Sequence, residues 1–298
     1  MANLKEIRNR IKTVKSTQQV TKAMKMVAAA KLRRAQDRII QLRPYALKLR
    51  ELIGNVVSVL DLSEIPSPLV EKREVKNILV VLVTSNRGLA GPFNANIIKH
   101  TLQFLDDNHR QDLAEGRVQF ICMGRKGHEQ MKKRGYNVNG QNFDVLHNLS
   151  FDTVNEVNDL IFEKFTSGEV DKVYLMFNEF KNVMTQIRRA DTLLPLSVDE
   201  LDQAESAEPE LASDYIFEPG REEILTDLIP KALRIQVFRA VLESNAAEQG
   251  ARMVAMDAAT ENAEELLRSL RISYNKARQA SITKEILEIA AGADALEN

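Results

Sequence analysis

The sequence predicts an α/β domain set into a long α-helical antiparallel coiled coil that is formed by the chain's own N- and C-terminal helices. Three observations carry this: a seven-residue apolar repeat near the start, the same repeat near the end, and alternating strand and helix patterns between them. The expected divisions are a coiled-coil helix at 1–60, a linker at 61–75, a central domain at 76–197, an acidic linker with an ordered turn at 198–220, and a second coiled-coil helix at 221–298.

Alternate steps of three and four from Leu4 reach Ile7, Ile11, Val14, Gln18, Thr21, Lys25, Ala28 and onward to Leu60. Fourteen of these seventeen positions are apolar, a repeat long enough to mark a coiled coil rather than an ordinary globular helix. The three failures, Gln18, Thr21 and Lys25, are consecutive, and the apolar residues beside them are Val20, Ala23, Met24 and Val27. The seam is therefore expected to rotate locally. Pro44 removes one backbone hydrogen bond and predicts a bend, because the repeat resumes in register at Ala46.

From Ile235 the same stepping finds twelve apolar residues in seventeen, with consecutive failures at Asn245, Gln249 and Arg252. Arg252 occupies a seam position, where a charge is costly unless paired. This helix starts near Arg221, with a bend expected at Pro230. Helices of about 55 and about 75 residues are roughly 80 and 110 Å long, against a radius of gyration of about 19 Å for a compact globule of this length. They are expected to project from the body. The last turns, Ile286 to Leu296, are apolar on nearly every face, which predicts a socket supplied by a partner protein.

Between the helices, the β-branched run Asn77–Val83 reads as a buried strand, Ser85–Phe93 as a Gly-rich turn and Asn94–Leu105 as a helix. Val118–Met123 is a second strand with a basic helix after it to Arg134; Thr153–Phe165 is a third helix; Val170–Phe177 and Val183–Ile187 are strands. That order predicts a Rossmann-like sandwich around a mainly parallel sheet.

Composition then removes function classes. The 298 residues hold 41 Lys and Arg against 42 Asp and Glu, a net charge of −1 that conceals a polarised molecule. Residues 1–50 carry fourteen basic and two acidic residues, a charge of +12, whereas Asp199–Asp214 holds seven acidic residues and no basic one. The acidic stretch reads as a solvated linker or a docking tail, and Tyr215-Ile-Phe-Glu218 after it as an ordered segment buried by the body or by a partner. No apolar run approaches the roughly 20 residues of a membrane span, and the start has no apolar signal core, so no removable leader is expected. The single cysteine, Cys122, predicts a reducing compartment.

No reaction centre is visible. His100, His109, His128 and His147 lack metal spacing, and neither a nucleophile elbow nor a paired-carboxylate constellation occurs, so no catalytic residue, metal or cofactor is assigned. Cys122 reads as a core thiol rather than a nucleophile. The loop Thr84–Asn94 has only Gly88-x-x-Gly91, short of a dinucleotide fingerprint or a P-loop, and Gly124-Arg-Lys-Gly127 stands in the same place after the second strand. Both are read as tight strand-to-helix turns, with nucleotide binding kept as the rival.

Thr21-Lys-Ala-Met-Lys-Met-Val-Ala-Ala-Ala-Lys31, Ala251-Arg-Met-Val-Ala-Met256, Asn275-Lys-Ala-Arg-Gln-Ala-Ser-Ile-Thr-Lys-Glu285 and the Thr-x-x-Arg-Gly-Leu-x-Gly loop at Thr84–Gly91 closely resemble the gamma-subunit family of F-type ATP synthases, over the whole chain and in its bacterial form. The resemblance implies a non-catalytic central rotor shaft that couples proton or sodium flow through the membrane ring to ATP synthesis or hydrolysis. Its partners would be three alpha and three beta subunits, the epsilon subunit and the c-subunit ring, at the cytoplasmic side of the cell inner membrane. By the same resemblance, Arg278, Gln279 and Thr283 match a polar catch with a beta-subunit loop and Arg252 a lower contact. Lys22, Met24, Lys25 and Lys31 match the region met by acidic lever loops, and Tyr215, Phe217 and Glu218 the segment seated on the c ring. The cysteine-bearing redox insertion of the chloroplast branch has no counterpart here. Two rivals of other classes stand beside this reading: a nucleic-acid-binding coiled coil that uses the +12 segment, and a nucleotide-binding α/β protein with a coiled-coil oligomerisation handle.

Overall fold

The computed structural model describes residues 4–57, 68–71, 73–139, 145, 146, 149–196 and 220–297. Two helices and a five-stranded sheet account for most of them. Helix α1 runs Leu4–Val57, continuing through Pro44, and the last helix, α5, runs Arg221–Glu297, continuing through Pro230. Between them come β1 (Ile78–Val83), α2 (Phe93–Ala114), β2 (Val118–Met123), α3 (Arg125–Lys133), β3 (Asn137–Val138), α4 (Phe151–Thr166), β4 (Lys172–Phe180) and β5 (Gln186–Leu194). The chain packs as two units, residues 30–251 and residues 1–29 with 252–298, and both long helices pass without interruption from one unit into the other.

In the first unit the sheet order is β3-β2-β1-β4-β5. β1 pairs in parallel with β2 and β4, Val80 lying opposite both Phe120 and Tyr174, while β5 is an antiparallel edge on β4. Every residue of β1 is buried, the mark of a central strand covered on both faces. Its alternate side chains feed two cores. Ile78, Val80 and Leu82 meet Ile97 and Leu105 of α2 and Met131 of α3, whereas Leu79, Val81 and Val83 join α4 (Val157, Ile161, Phe165), Leu49 and Ile53 of α1, and Leu225 to Val241 of α5. The crossovers after β1 and β2 thus cover one face and the crossover after β3 the other, as in a doubly wound α/β sandwich.

The α/β class and the helical pairing agree with the sequence expectation; several details do not. The last strand lies at 186–194 and not at Val183–Ile187, because Asn182 builds the turn there: its side-chain oxygen accepts from the Met184 and Thr185 amides at 3.0 and 2.8 Å. β3, two residues long, was beneath any periodic signal. α2 runs past its expected end at Leu105 to Ala114, with a break at His109 (φ −140°, ψ 35°) after which it resumes. The break brings the imidazole to the Tyr174 hydroxyl on β4 (2.8 Å) and to Asp112 (3.2 Å).

The second unit is an antiparallel helix pair. The hydroxyls of Thr21 and Thr260 are 2.8 Å apart and Lys25 reaches Asp257 at 2.5 Å, so rising numbers on α1 meet falling numbers on α5. Here the expected rotation of the seam does not occur. Thr21 is buried and Gln18 and Lys25 are half-buried, whereas Val20 and Val27 are more than half exposed. The polar residues stay in the seam because each finds a polar partner or fits a groove there, and α1 keeps its heptad register. On α5 the inward positions are Met256, Thr260, Ala263, Leu267, Leu270 and Tyr274; Leu267 is buried and Leu266 is 40% exposed, so alternate steps fall one residue later than expected.

Phe165, fully buried between α4 and the sheet with the Arg73 guanidinium 5.4 Å over its ring, is the largest single filling of the core that the sheet shares with α4. Phe165→Ala is expected to destabilise by about 3–5 kcal/mol, seen as a lowered urea midpoint with an unchanged slope.

Candidate partner-binding site

The helix pair presents its charge outward. Lys5, Arg8, Arg10, Lys12, Lys15 and Lys22 are all exposed on α1, because the seam takes the a and d positions and leaves the cations on the remaining faces. Lys31, Arg33, Arg34 and Arg38 continue the exposed basic series in the sheet-bearing unit. Among them lie apolar residues of the outer face, Val20 (54% exposed), Met26 (61%) and Val27 (56%), of which Val20 and Val27 are residues expected in the seam. A surface that alternates long cations with exposed aliphatic side chains suits acidic loops carrying an apolar contact of their own.

The assigned contact residues separate into distinct environments. Lys22 and Lys31 are exposed and Met24 is half-buried; Lys25 is engaged with Asp257 across the seam. Arg252 is buried at 9% exposure, as its seam position implied. Arg278, Gln279 and Thr283 are exposed together on one stretch of α5, where the Thr283 hydroxyl donates to the Gln279 carbonyl at 2.9 Å and so holds an exposed oxygen against the helix. Tyr215, Phe217 and Glu218 lie outside the described residues. In the register set by Thr21–Thr260 and Lys25–Asp257, Leu4 faces about residue 277, so about the last 20 residues of α5 have no α1 beside them. Ile282, Ile286, Leu287 and Ile289 are 48–73% exposed there.

The other candidate, the crevice at the carboxyl ends of β1 and β2, is closed by its own side chains. The amides that begin α3 would be the phosphate donors, yet Arg125 N–H donates to Asn86 Oδ1 (3.1 Å), Lys126 N–H to the Ser85 carbonyl (3.1 Å) and Gly127 N–H to Thr84 Oγ1 (2.8 Å). A Cβ on Gly124 (φ 127°) would stand 2.1 Å from the Thr84 carbonyl oxygen, so glycine is what allows the two strand ends to touch. The β1 loop is tied as well: Ser85 N–H donates to Asn94 Oδ1 (2.9 Å) and Ser85 Oγ to the Arg87 carbonyl (2.8 Å). These saturated donors were not legible in the Gly spacing, which looks alike in a filled and an open loop. Among the described residues no three His, Cys, Asp or Glu side chains converge as a metal site. Cys122 is 1% exposed on β2, and burial pushes its thiol up to about 12.

A family model described as ATP synthase matches residues 3–296. The ATP synthase gamma chain of Chlorobaculum tepidum is 54% identical over the full length of both chains, and that of Chloroherpeton thalassium 53% over all of this chain and 99% of its own. Among solved structures, a chain of the Euglena gracilis mitochondrial ATP synthase in the OSCP/F1/c-ring assembly superposes with a TM-score of 0.64 at 22% identity, covering 98% of this chain and 94% of that one. A rotor chain from the same organism gives 0.60 at 20% identity, with 94% and 98% covered. At these identities the structural likeness establishes the fold.

Two outcomes follow for the sites described. Titration of the isolated chain with Mg-ATP is expected to give no stoichiometric heat; tight one-to-one binding would reopen the strand-end crevice. Cys122 is expected to resist maleimide at pH 8 in the folded protein and to react within minutes once unfolded, as mass spectrometry would record.

Proposed function

The chain belongs to the gamma-chain family of ATP synthases, and from that premise we propose that it is the central rotary shaft coupling ion flow through a membrane ring to ATP synthesis and hydrolysis in surrounding alpha and beta subunits. The observation that carries the reading is the helix pair with exposed cations on its flanks and an uncovered, all-round apolar end on α5. The apolar end suits a hydrophobic sleeve in which few directional bonds resist turning, and the outer face of α1, with Lys22, Met24 and Lys31, suits acidic loops of three equivalent beta subunits. A shaft with one charged side offers each subunit a different face. Each conformational equilibrium is then biased differently, and rotation carries the bias round.

In this reading the chain contributes no catalytic group; the filled crevice and the high Cys122 pKa support that. Arg278, Gln279 and Thr283 form the polar catch for a beta-subunit loop, and the buried Arg252 acts by fixing the shaft's own packing at a lower contact. Tyr215, Phe217 and Glu218 remain assigned to the c ring, with epsilon on the α/β domain. Among the described residues no helix is long and apolar enough to cross a membrane, so attachment to the cytoplasmic face of the cell inner membrane would run through the complex.

Co-expression with alpha and beta subunits is expected to yield an ATP-hydrolysing complex holding one copy of this chain per three alpha–beta pairs; failure to assemble would overturn the proposal. In that complex, Arg278→Ala with Gln279→Ala is expected to lower hydrolysis or ATP-driven pumping by roughly tenfold, the loss of one or two exposed polar contacts at about 1.4 kcal/mol per decade, with an unchanged melting temperature. Unaltered turnover and torque would remove the catch.

A further inference from the structure

In α5 every residue from Ala240 to Ala251 except Asn245 is buried, which is unusual for a helix whose other turns leave a face in solvent. Three walls of the sheet-bearing unit enclose it. Leu32 and Ala35 of α1 pack on Ala246, Ala90 and Phe93 of the β1 loop pack on Ala247 and Ala251, and Phe180 at the end of β4 packs with both groups. We propose that residues 243–251 of α5 are seated in a collar that prevents the helix from turning or sliding against the α/β domain, so that torque passes between helix and domain at this level. The inference rests on the shaft reading.

Gly250 shows how close the fit is. A Cβ there would lie 3.3 Å from the Phe180 ring, 3.6 Å from Val183 Cα and 3.7 Å from the Val183 carbonyl oxygen. A Cβ would crowd only the Phe180 ring and would make ordinary van der Waals contact with Val183, so the β4–β5 turn rests against this stretch of the helix within one side chain's thickness. The walls themselves are stiff. The turn is closed by Asn182–Thr185 backbone bonds at 3.1 and 3.2 Å, and Gln186 Nε2 donates to the Val183 carbonyl at 3.2 Å. The β1 loop is tied by Ser85, Asn86 and Asn94 in the way that closes the crevice. The same side-chain bonds that engage the first α3 amides brace the loop as a wall.

Packing by small residues resists sliding, but a round helix can still turn in a smooth sleeve. Glu243 supplies the angular stop. Its Oε2 accepts the Phe180 N–H at 3.2 Å, a directional bond from the helix to the end of β4. Burial pushes the Glu243 carboxyl up, and the Phe180 amide, Arg239 and Arg43 act against that. The side chain is held inside despite the cost of enclosing it.

The test uses the assembled synthase in inverted vesicles. Val183→Cys with Gly250→Cys would join hairpin and helix on oxidation, with the native Cys122 too buried to interfere. If the collar never moves during rotation, the cross-linked complex, verified by mass spectrometry, pumps protons and hydrolyses ATP within about twofold of its reduced form. Loss of both on oxidation, restored by reductant, would overturn the collar. Gly250→Leu, which wedges the turn away, is expected to lower protons pumped per ATP hydrolysed at least threefold while hydrolysis persists; an unchanged ratio would equally overturn it. Should that variant fail to assemble, the disulfide pair decides. Failure of the unmodified chain to form a complex counts against the shaft reading and is distinct from either result.

Discussion

One continuous helix, α5, supplies the inward residues of two separately packed units, and each unit sets its own demands on them. α5 keeps its helical backbone through both, so the adjustment falls on which residues turn inward and on their size and polarity. In the helix pair the adjustment is polar: Thr260 and Asp257 answer Thr21 and Lys25. In the sheet-bearing unit it is steric: Ala246, Ala247, Gly250 and Ala251 thin the helix where walls close on it. Each departure from apolar seam residues marks a place where the helix meets something other than a plain apolar partner.

The charge distribution follows from the same constraint. With a and d positions committed to the seam, fourteen cations in the first fifty residues have only the outer faces to occupy, and those described in the helix pair do so except Lys25. Exposed pairs such as Lys25–Asp257, both partners 40% or more exposed, contribute about 0–1 kcal/mol, so the charge does little for folding. In the shaft reading its weight lies in recognition, where surface cations favour acidic partners and set how fast they meet.

The sheet illustrates how a fold can carry the outline of a ligand site and use it otherwise. Parallel strands, a glycine loop and a helix N-terminus meet at the usual place, and the amides that begin α3 are engaged by Thr84, Ser85 and Asn86. A loop tied from within loses adaptability and gains stiffness, the property that the proposed collar around α5 requires.

The amino-acid sequence alone determined the helical ends, their pairing, the alternating domain and the outward basic face, because each is a repeated pattern in which many residues agree. It also determined the family, through long motifs in order. Tertiary structure decided what single residues do: that Thr21 and Lys25 remain in the seam while Val20 and Val27 face out, that Asn182 begins a turn and moves the last strand to 186–194, that the glycine loop is filled, and that Gly250 meets Val183. The physical reason is common to all four. Periodicity reports the average side of an element that is buried, whereas a polar partner, a turn-building side chain or a backbone contact comes from residues distant in sequence or from one side chain, and leaves no periodic trace.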